Sequence, residues 1–150
     1  MDLENAKIRR IILAEHDVLR RSLHEISELL DKVVKGDAPA QEEAHHKVQA
    51  LLKAFMKHIE HEEQILVPVL EKSDAGGVER ATSMGEEHKA QRKIVTHLAG
   101  VQPSRDPTGW AAEVRVFIED LLVDMAAEEK NSLAPTVLRD DIIAVDGSSE

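Results

Sequence analysis

A histidine and a glutamate four residues apart, His58 and Glu62, share one face of a segment with helical periodicity. Apolar residues recur on that face at alternating steps of three and four, so we expect it to turn toward the core. A buried charge without compensation is costly, and a metal ion is the first candidate for compensating this pair. The expected inward stripe of this helix is Val48, Leu51, Phe55, His58, Glu62, Ile65 and Val69.

Three other amphipathic segments carry metal-ligand types on their apolar faces. The first and third each place one histidine there, and the fourth places an aspartate and a glutamate four residues apart. Three imidazoles and three carboxylates are typical of a two-iron or two-manganese site inside a helix bundle, and the two cations would balance the buried carboxylates. The alternative is a polar layer satisfied by water and hydrogen bonds. The predicted metal ligands are His16, His58, Glu62, His88, Asp124 and Glu128.

The remaining histidines are expected to play simpler roles. His61 lies one turn from His58 but is rotated away from the stripe, so it is a candidate for supporting a ligand rather than being one. Four others are expected to be structural or solvent-facing: His24, His45, His46 and His97.

These side chains must be positioned by helices, and glycine and proline divide the chain into four of them. Four long segments joined by short loops predict an all-α, up-down-up-down four-helix bundle. We expect the bundle to occupy residues 1–138 and the acidic tail, residues 139–150, to be flexible. The predicted helices span residues 3–34, 41–71, 78–99 and 108–135.

Composition excludes several other classes of protein. The 150-residue chain has a formal net charge of −10, which argues against nucleic acid or an anionic membrane as a partner. No apolar run approaches the ~20 residues of a transmembrane helix, and residues 1–5 lack the apolar core of a signal peptide. The absence of cysteine excludes disulfides and thiolate metal sites, and a cytoplasmic location is the default expectation.

An ordered series of motifs runs through the four helices, from about Ile8 to Leu138. The series consists of Glu15-His16-Asp17, then His58 with Glu62-Glu63 and Pro68, then Glu87-His88, then Glu128-Glu129 and Pro135. In this order the chain resembles the hemerythrin-like (HHE cation-binding) domain family. The resemblance implies an oxo- or hydroxo-bridged pair of iron ions, with manganese or zinc as alternatives. It carries the family's ligand pattern onto His16, His58, Glu62 and His88 by residue type.

The fourth helix departs from the family pattern. Aligning the Glu-Glu pairs puts Asp124 where the family has its final histidine and makes Glu128 the bridging carboxylate. Aligning the prolines instead puts Met125 and Glu129 in those roles. We favour the first alignment because its residues share the helical phase of the second-helix pair. It requires one extra residue before Pro135, which a helical bulge could absorb.

The resemblance implies a small ligand at the metal centre: O2, NO or peroxide. One hypothesis is reversible binding of O2 or NO, although the missing histidine argues against simple O2 carriage. A second is an enzyme that consumes peroxide or reduces NO, with the extra carboxylate as a base. A third is an iron-binding sensor or storage module without turnover, in which a protein partner reads the folded state. The tail could contact such a partner, or be a disordered terminus.

Overall fold

The computed structural model describes residues 4–73, 76–134 and 137–138, which form a bundle of long helices. The second long helix is continuous through a single π turn, and no strand occurs among the described residues. The predicted all-α four-helix bundle is therefore confirmed, whereas the predicted tail lies outside the described residues. The helical elements are α1 (Asn5–Val34), α2 (Ala38–His61), the π turn (Glu62–Leu66), α3 (Val67–Ser73), α4 (Gly77–Gly100) and α5 (Pro107–Asn131).

Local sequence explains where the helices begin and end. Gly36 adopts a φ of 89°, which favours glycine, and it separates α1 from α2. The Asp37 carboxylate then accepts a hydrogen bond from the Ala40 N–H at 2.9 Å, as an N-cap residue does. Asp106 does the same for the Gly109 N–H at 3.0 Å at the start of α5. These short connections make consecutive helices antiparallel.

The π turn corrects the predicted stripe of the second helix. Periodicity predicts that Ile65 and Val69 face inward, but both are only half-buried, and Leu66 and Leu70 are fully buried instead. A π turn accommodates one extra residue, so every later position is rotated by one. Pro68 supplies a physical reason, because it has no N–H for the carbonyl four residues earlier and its ring crowds that carbonyl.

The fourth helix ends earlier than predicted and shows no bulge within Pro107–Asn131. Beyond it, the N–H groups of Ser132 and Leu133 both donate to the carbonyl of Glu128, at 2.8 and 2.9 Å. The second of these bonds reaches back five residues, as does the bond from the Val67 N–H to the Glu62 carbonyl in the π turn. The backbone thus leaves the regular α-helical pattern at the end of α5 rather than within it, and Pro135 lies outside the described residues.

The buried side chains form two apolar clusters separated by a polar layer. The large cluster extends from Leu19 toward the turn that joins α1 to α2 and contains Phe55, Phe117 and Trp110. The polar layer occupies the next turn of α1, at His16. Beyond it lies the small cluster, which consists of Ile8, Ile12, Leu66, Leu70, Ala81, Met84, Leu133 and Leu138.

Gly77 allows α3 and α4 to approach each other closely at the end of the bundle with the small cluster. A Cβ atom at this position would lie 1.8 Å from the Leu70 carbonyl oxygen, so no other residue fits without a shift of the backbone. Across the described part of the chain, every helix is too polar or too short to cross a bilayer.

Candidate metal centre

Three long helices bring four ligand-type side chains into one group. His16 comes from α1, His58 and Glu62 come from the second helix, and Glu128 comes from α5. One donor atom from each lies within 4.8 Å of the other three. Because His16 and Glu62 are buried, with exposed fractions of 0% and 2%, the group lies inside the bundle rather than at its surface.

Glu62 lies at the middle of the polar layer and presents its two oxygens to different imidazoles. Its Oε2 is 3.2 Å from the Nε2 atom of His58 and 3.8 Å from that of His16. Its Oε1 is 3.0 Å from the Nε2 atom of His88, which α4 contributes. One carboxylate therefore lies between the imidazoles of His16 and His58 on one side and that of His88 on the other.

All three buried imidazoles direct Nε2 toward the layer and donate Nδ1–H to an outer carboxylate. A hydrogen bond of this kind fixes the tautomer and orientation of a metal-binding histidine and leaves the Nε2 lone pair facing inward. An inward lone pair next to carboxylate oxygens needs a proton or a cation between them. The three bonds are His16 to Glu129 at 2.7 Å, His58 to Glu15 at 2.7 Å and His88 to Glu63 at 3.0 Å.

Each outer carboxylate is itself held by a second cationic or imidazole group. The contacts join Glu15 to His61 at 2.5 Å, Glu63 to Arg92 at 2.6 Å and Glu129 to Arg20 at 2.8 Å. Sequence patterns anticipated His61 as a supporting residue but gave the outer glutamates no separate role. The available signal was adjacency, because each outer glutamate is the chain neighbour of an inner residue.

The buried groups of the layer shift one another's pKa values in opposite directions. Burial would lower the pKa of His16, but Glu128, Glu62 and Glu129 raise it to about 10. Burial opposes ionisation of Glu62, yet its contacts with Glu128 and the imidazoles hold its pKa well below the usual range. Burial and the neighbouring Glu62 raise the pKa of Glu128 well above its usual value. Contacts within the layer thus favour protons on His16 and Glu128 beside the ionised Glu62, and a bound cation would take the place of those protons.

Three buried polar atoms of the layer make close contacts without a hydrogen bond of good geometry: His16 Nε2 lies 3.0 Å from Glu128 Oε1, and Glu62 Oε2 lies 3.2 Å from His58 Nε2. Buried polar atoms almost always form well-aligned hydrogen bonds, so these contacts are consistent with a cation as the shared partner. They border a cavity of about 10 Å³, which has room for about one water-sized particle. Imidazole and carboxylate donors around such a space fit a transition-metal ion.

The remaining predicted ligands border the same cavity but lie outside the four-residue group. The Nε2 atom of His88 lies 3.0 Å from Glu62 Oε1. The Oδ2 atom of Asp124, which is half-buried, accepts a hydrogen bond from the Gln91 side-chain amide at 2.9 Å. Met125 is buried and borders the cavity, whereas Glu129 lies outside it against His16 Nδ1.

The histidines outside the layer have ordinary environments. His24 is exposed beside Glu28 on its own helix, and His97 is exposed with its Nε2 atom 2.6 Å from Glu113. His45 packs edge-on against Trp110, with ring centroids 6.1 Å apart, at the far end of the large cluster. His46 is exposed.

Comparisons with known proteins give one match. The family model described as the hemerythrin HHE cation binding domain matches residues 7–137, which include all six predicted ligands. No curated protein and no solved structure gives a significant match.

Proposed function

The chain belongs to the hemerythrin HHE cation-binding domain family, and we propose that its polar layer holds a pair of iron ions that bind or process O2, NO or peroxide. The coarser statement, a hemerythrin-like domain with a cluster able to hold a metal ion, rests on the family match and the four-residue group. The finer proposal is supported above all by Glu62, whose two oxygens face separate sets of imidazoles.

The proposed ligand set consists of His16, His58, Glu62, His88, Asp124 and Glu128. On one side of Glu62 are His16 and His58, and on the other is His88. Asp124 is proposed as a ligand through Oδ1, since its Oδ2 accepts the hydrogen bond from Gln91. Bound iron would supply the redox and coordination chemistry that none of these side chains provides alone.

The protein's own side chains would control the environment of a small ligand. Phe55, Leu121 and Met125 border the cavity with apolar surface and limit the access of water. Glu15, Glu63 and Glu129 keep the imidazoles in one orientation through their Nδ1 atoms. A rigid ligand set in a partly dry cavity would favour small, weakly polar molecules over larger ions.

Ligand assays on iron-loaded protein test this proposal. The full chain is loaded with Fe²⁺ anaerobically and then exposed separately to O2, NO and H2O2 while the visible spectrum is recorded. We expect at least one ligand to change the spectrum within seconds, and oxygen release from peroxide would assign turnover rather than binding. The His45→Ala variant should behave like the wild type.

Retention of two irons without a response to any of the three ligands would contradict the proposed function. That result would instead favour the iron-binding sensor or storage module, which needs metal in the bundle but no exchangeable ligand.

A further inference from the structure

The buried layer raises the question of how an ion reaches it. His16, His58, Glu62 and His88 are each 5% exposed or less, so an ion must pass other residues before reaching them. Two surface grooves adjoin the layer from opposite sides of the bundle. They differ in the chemistry of their walls, and that difference indicates which one suits a hydrated cation.

The first groove lies between α4 and α5, has a volume of about 520 Å³ and is open to solvent. Three of its residues, Glu87, Asp124 and Glu128, also border the central cavity, so these side chains alone separate the groove from the centre at that point. With Glu79, four carboxylates line it against the single guanidinium of Arg80. A cleft with an excess of one charge attracts the opposite charge and raises its local concentration.

The innermost carboxylate of this groove, Glu128, joins the groove to the proposed centre. Its side chain is 9% exposed, and its Oε1 atom lies 3.0 Å from His16 Nε2 without a hydrogen bond of good geometry. Glu87 is the most exposed of the three carboxylates shared with the cavity, and it forms no hydrogen bond or ion pair within the part of the chain that the structure describes. Glu15, Glu63 and Glu129, which are also chain neighbours of inner residues, are instead bonded to imidazoles.

The second groove, between α1 and α2, is less suitable for a cation. It touches the layer only at His58, and its walls include Ala14, Val18 and Ala54. Between that groove and the imidazole lies Glu15, with its two oxygens bonded to His58 and His61. A hydrated ion would have to lose water against apolar walls there and break these bonds.

We propose that divalent cations reach the centre through the α4–α5 groove, meeting Glu87 first and then Asp124 and Glu128. This inference rests on the proposed metal centre, but it concerns the rate of loading rather than the final ligand set. Glu87 is a positioning residue on the path and not a ligand of the loaded centre.

Cobalt(II) uptake by the metal-free full chain, followed by stopped-flow visible absorption, tests the path. The Glu87→Gln variant should lower the association rate constant about five-fold, a fraction of the gain that electrostatic steering provides. The matched Glu86→Gln variant removes the same charge from an exposed neighbour outside the groove and should stay within about 1.5-fold of the wild type. Release to a chelator should be no faster in Glu87→Gln, because a path residue does not hold the bound ion.

A steric pair tests the same path without changing charge. Ser83 lines the α4–α5 groove and Ala54 lines the α1–α2 groove, and both are exposed. Ser83→Trp should slow cobalt uptake several-fold, whereas Ala54→Trp should leave it unchanged. Equal rates in both variants, or slowing by Ala54→Trp alone, would overturn the path and leave the centre intact.

Two further outcomes would also contradict the path. Faster release with unchanged uptake in Glu87→Gln would make Glu87 a ligand instead. If the wild-type chain binds no cobalt at all, both the proposed path and the proposed metal centre are contradicted.

Discussion

The two apolar clusters on either side of the polar layer are built differently. The large cluster contains the Phe55–Phe117 edge-to-face pair, with centroids 5.7 Å apart, and the buried Trp110. The small cluster is assembled from aliphatic side chains and includes Leu66 and Leu70, which follow the π turn. The register of Leu66 and Leu70 depends on the π turn, which begins at Glu62 of the polar layer. The second helix thus ties the packing of the small cluster to the site, whereas its residues in the large cluster come before the π turn.

A metal ion would therefore stabilise the two ends unequally. Without it, the layer keeps several buried carboxylates and imidazoles facing one another, which weakens the connection between the clusters. We expect the small cluster to lose most from this, because Leu66 and Leu70 follow the π turn that begins at Glu62, whereas the large cluster keeps its own aromatic core. Three substitutions test this difference between the two ends of the bundle.

Removing an inner imidazole should have the largest effect. His58→Ala should abolish most metal binding, and with it a stabilisation of about 4 kcal/mol if metal is present at 1,000 times its dissociation constant. Metal content and thermal unfolding measure this directly. His45→Ala, a histidine at the far end of the large cluster, should change neither. Equal metal content in the two variants would refute the site assignment.

Truncating the small cluster should have the next largest effect and tests the phase shift of the π turn. Leu66→Ala removes a fully buried side chain and should cost about 2–5 kcal/mol in urea unfolding. Ile65→Ala changes the neighbouring residue, which is half-buried, and should cost about 1 kcal/mol. A larger cost at Ile65 would mean that the helix continues without the π turn.

Neutralising an outer carboxylate should have the smallest effect on the fold and a moderate effect on metal. Glu15→Gln weakens the hydrogen bond to His58 Nδ1 and should reduce metal affinity about 10- to 100-fold, as loss of a ligand's supporting partner typically does. The control is Glu25→Gln on the same helix, where the carboxylate is exposed and lies 3.7 Å from Lys47. Titration with a competing chelator compares the two affinities. Equal metal affinities in the two variants would show that Glu15 does not support the metal centre.

The four helices and most of their inward stripes follow from periodicity, because amphipathic spacing of long segments determines which faces pack together. The inward stripe predicted from periodicity was wrong at Ile65 and Val69, because the extra residue of the π turn rotates all later positions of the helix. Pro68 indicated where the helix departs from regular geometry, but a proline alone does not distinguish a π turn from a kink or a helix end.

The inner side chains of the site were predictable because metal-ligand types on apolar faces are unusual. The outer glutamates Glu15, Glu63 and Glu129 were harder to assign, since each lies off its helix's stripe and meets an imidazole only after the helices pack. The hydrogen bond between Gln91 and Asp124 likewise joins two helices and has no signature in either one alone.

Metal analysis of the purified protein is the decisive test of the proposed two-iron centre. Elemental analysis after anaerobic iron loading, combined with the ultraviolet–visible spectrum of the protein after exposure to air, counts the ions and reports whether they share a bridging ligand. The proposed arrangement around Glu62 predicts about two irons per chain, the number of ions that a two-metal site holds, together with oxo-to-iron charge-transfer bands. One iron or none per chain, with no such bands, would contradict the two-iron centre and leave the layer as a mononuclear site or a polar core.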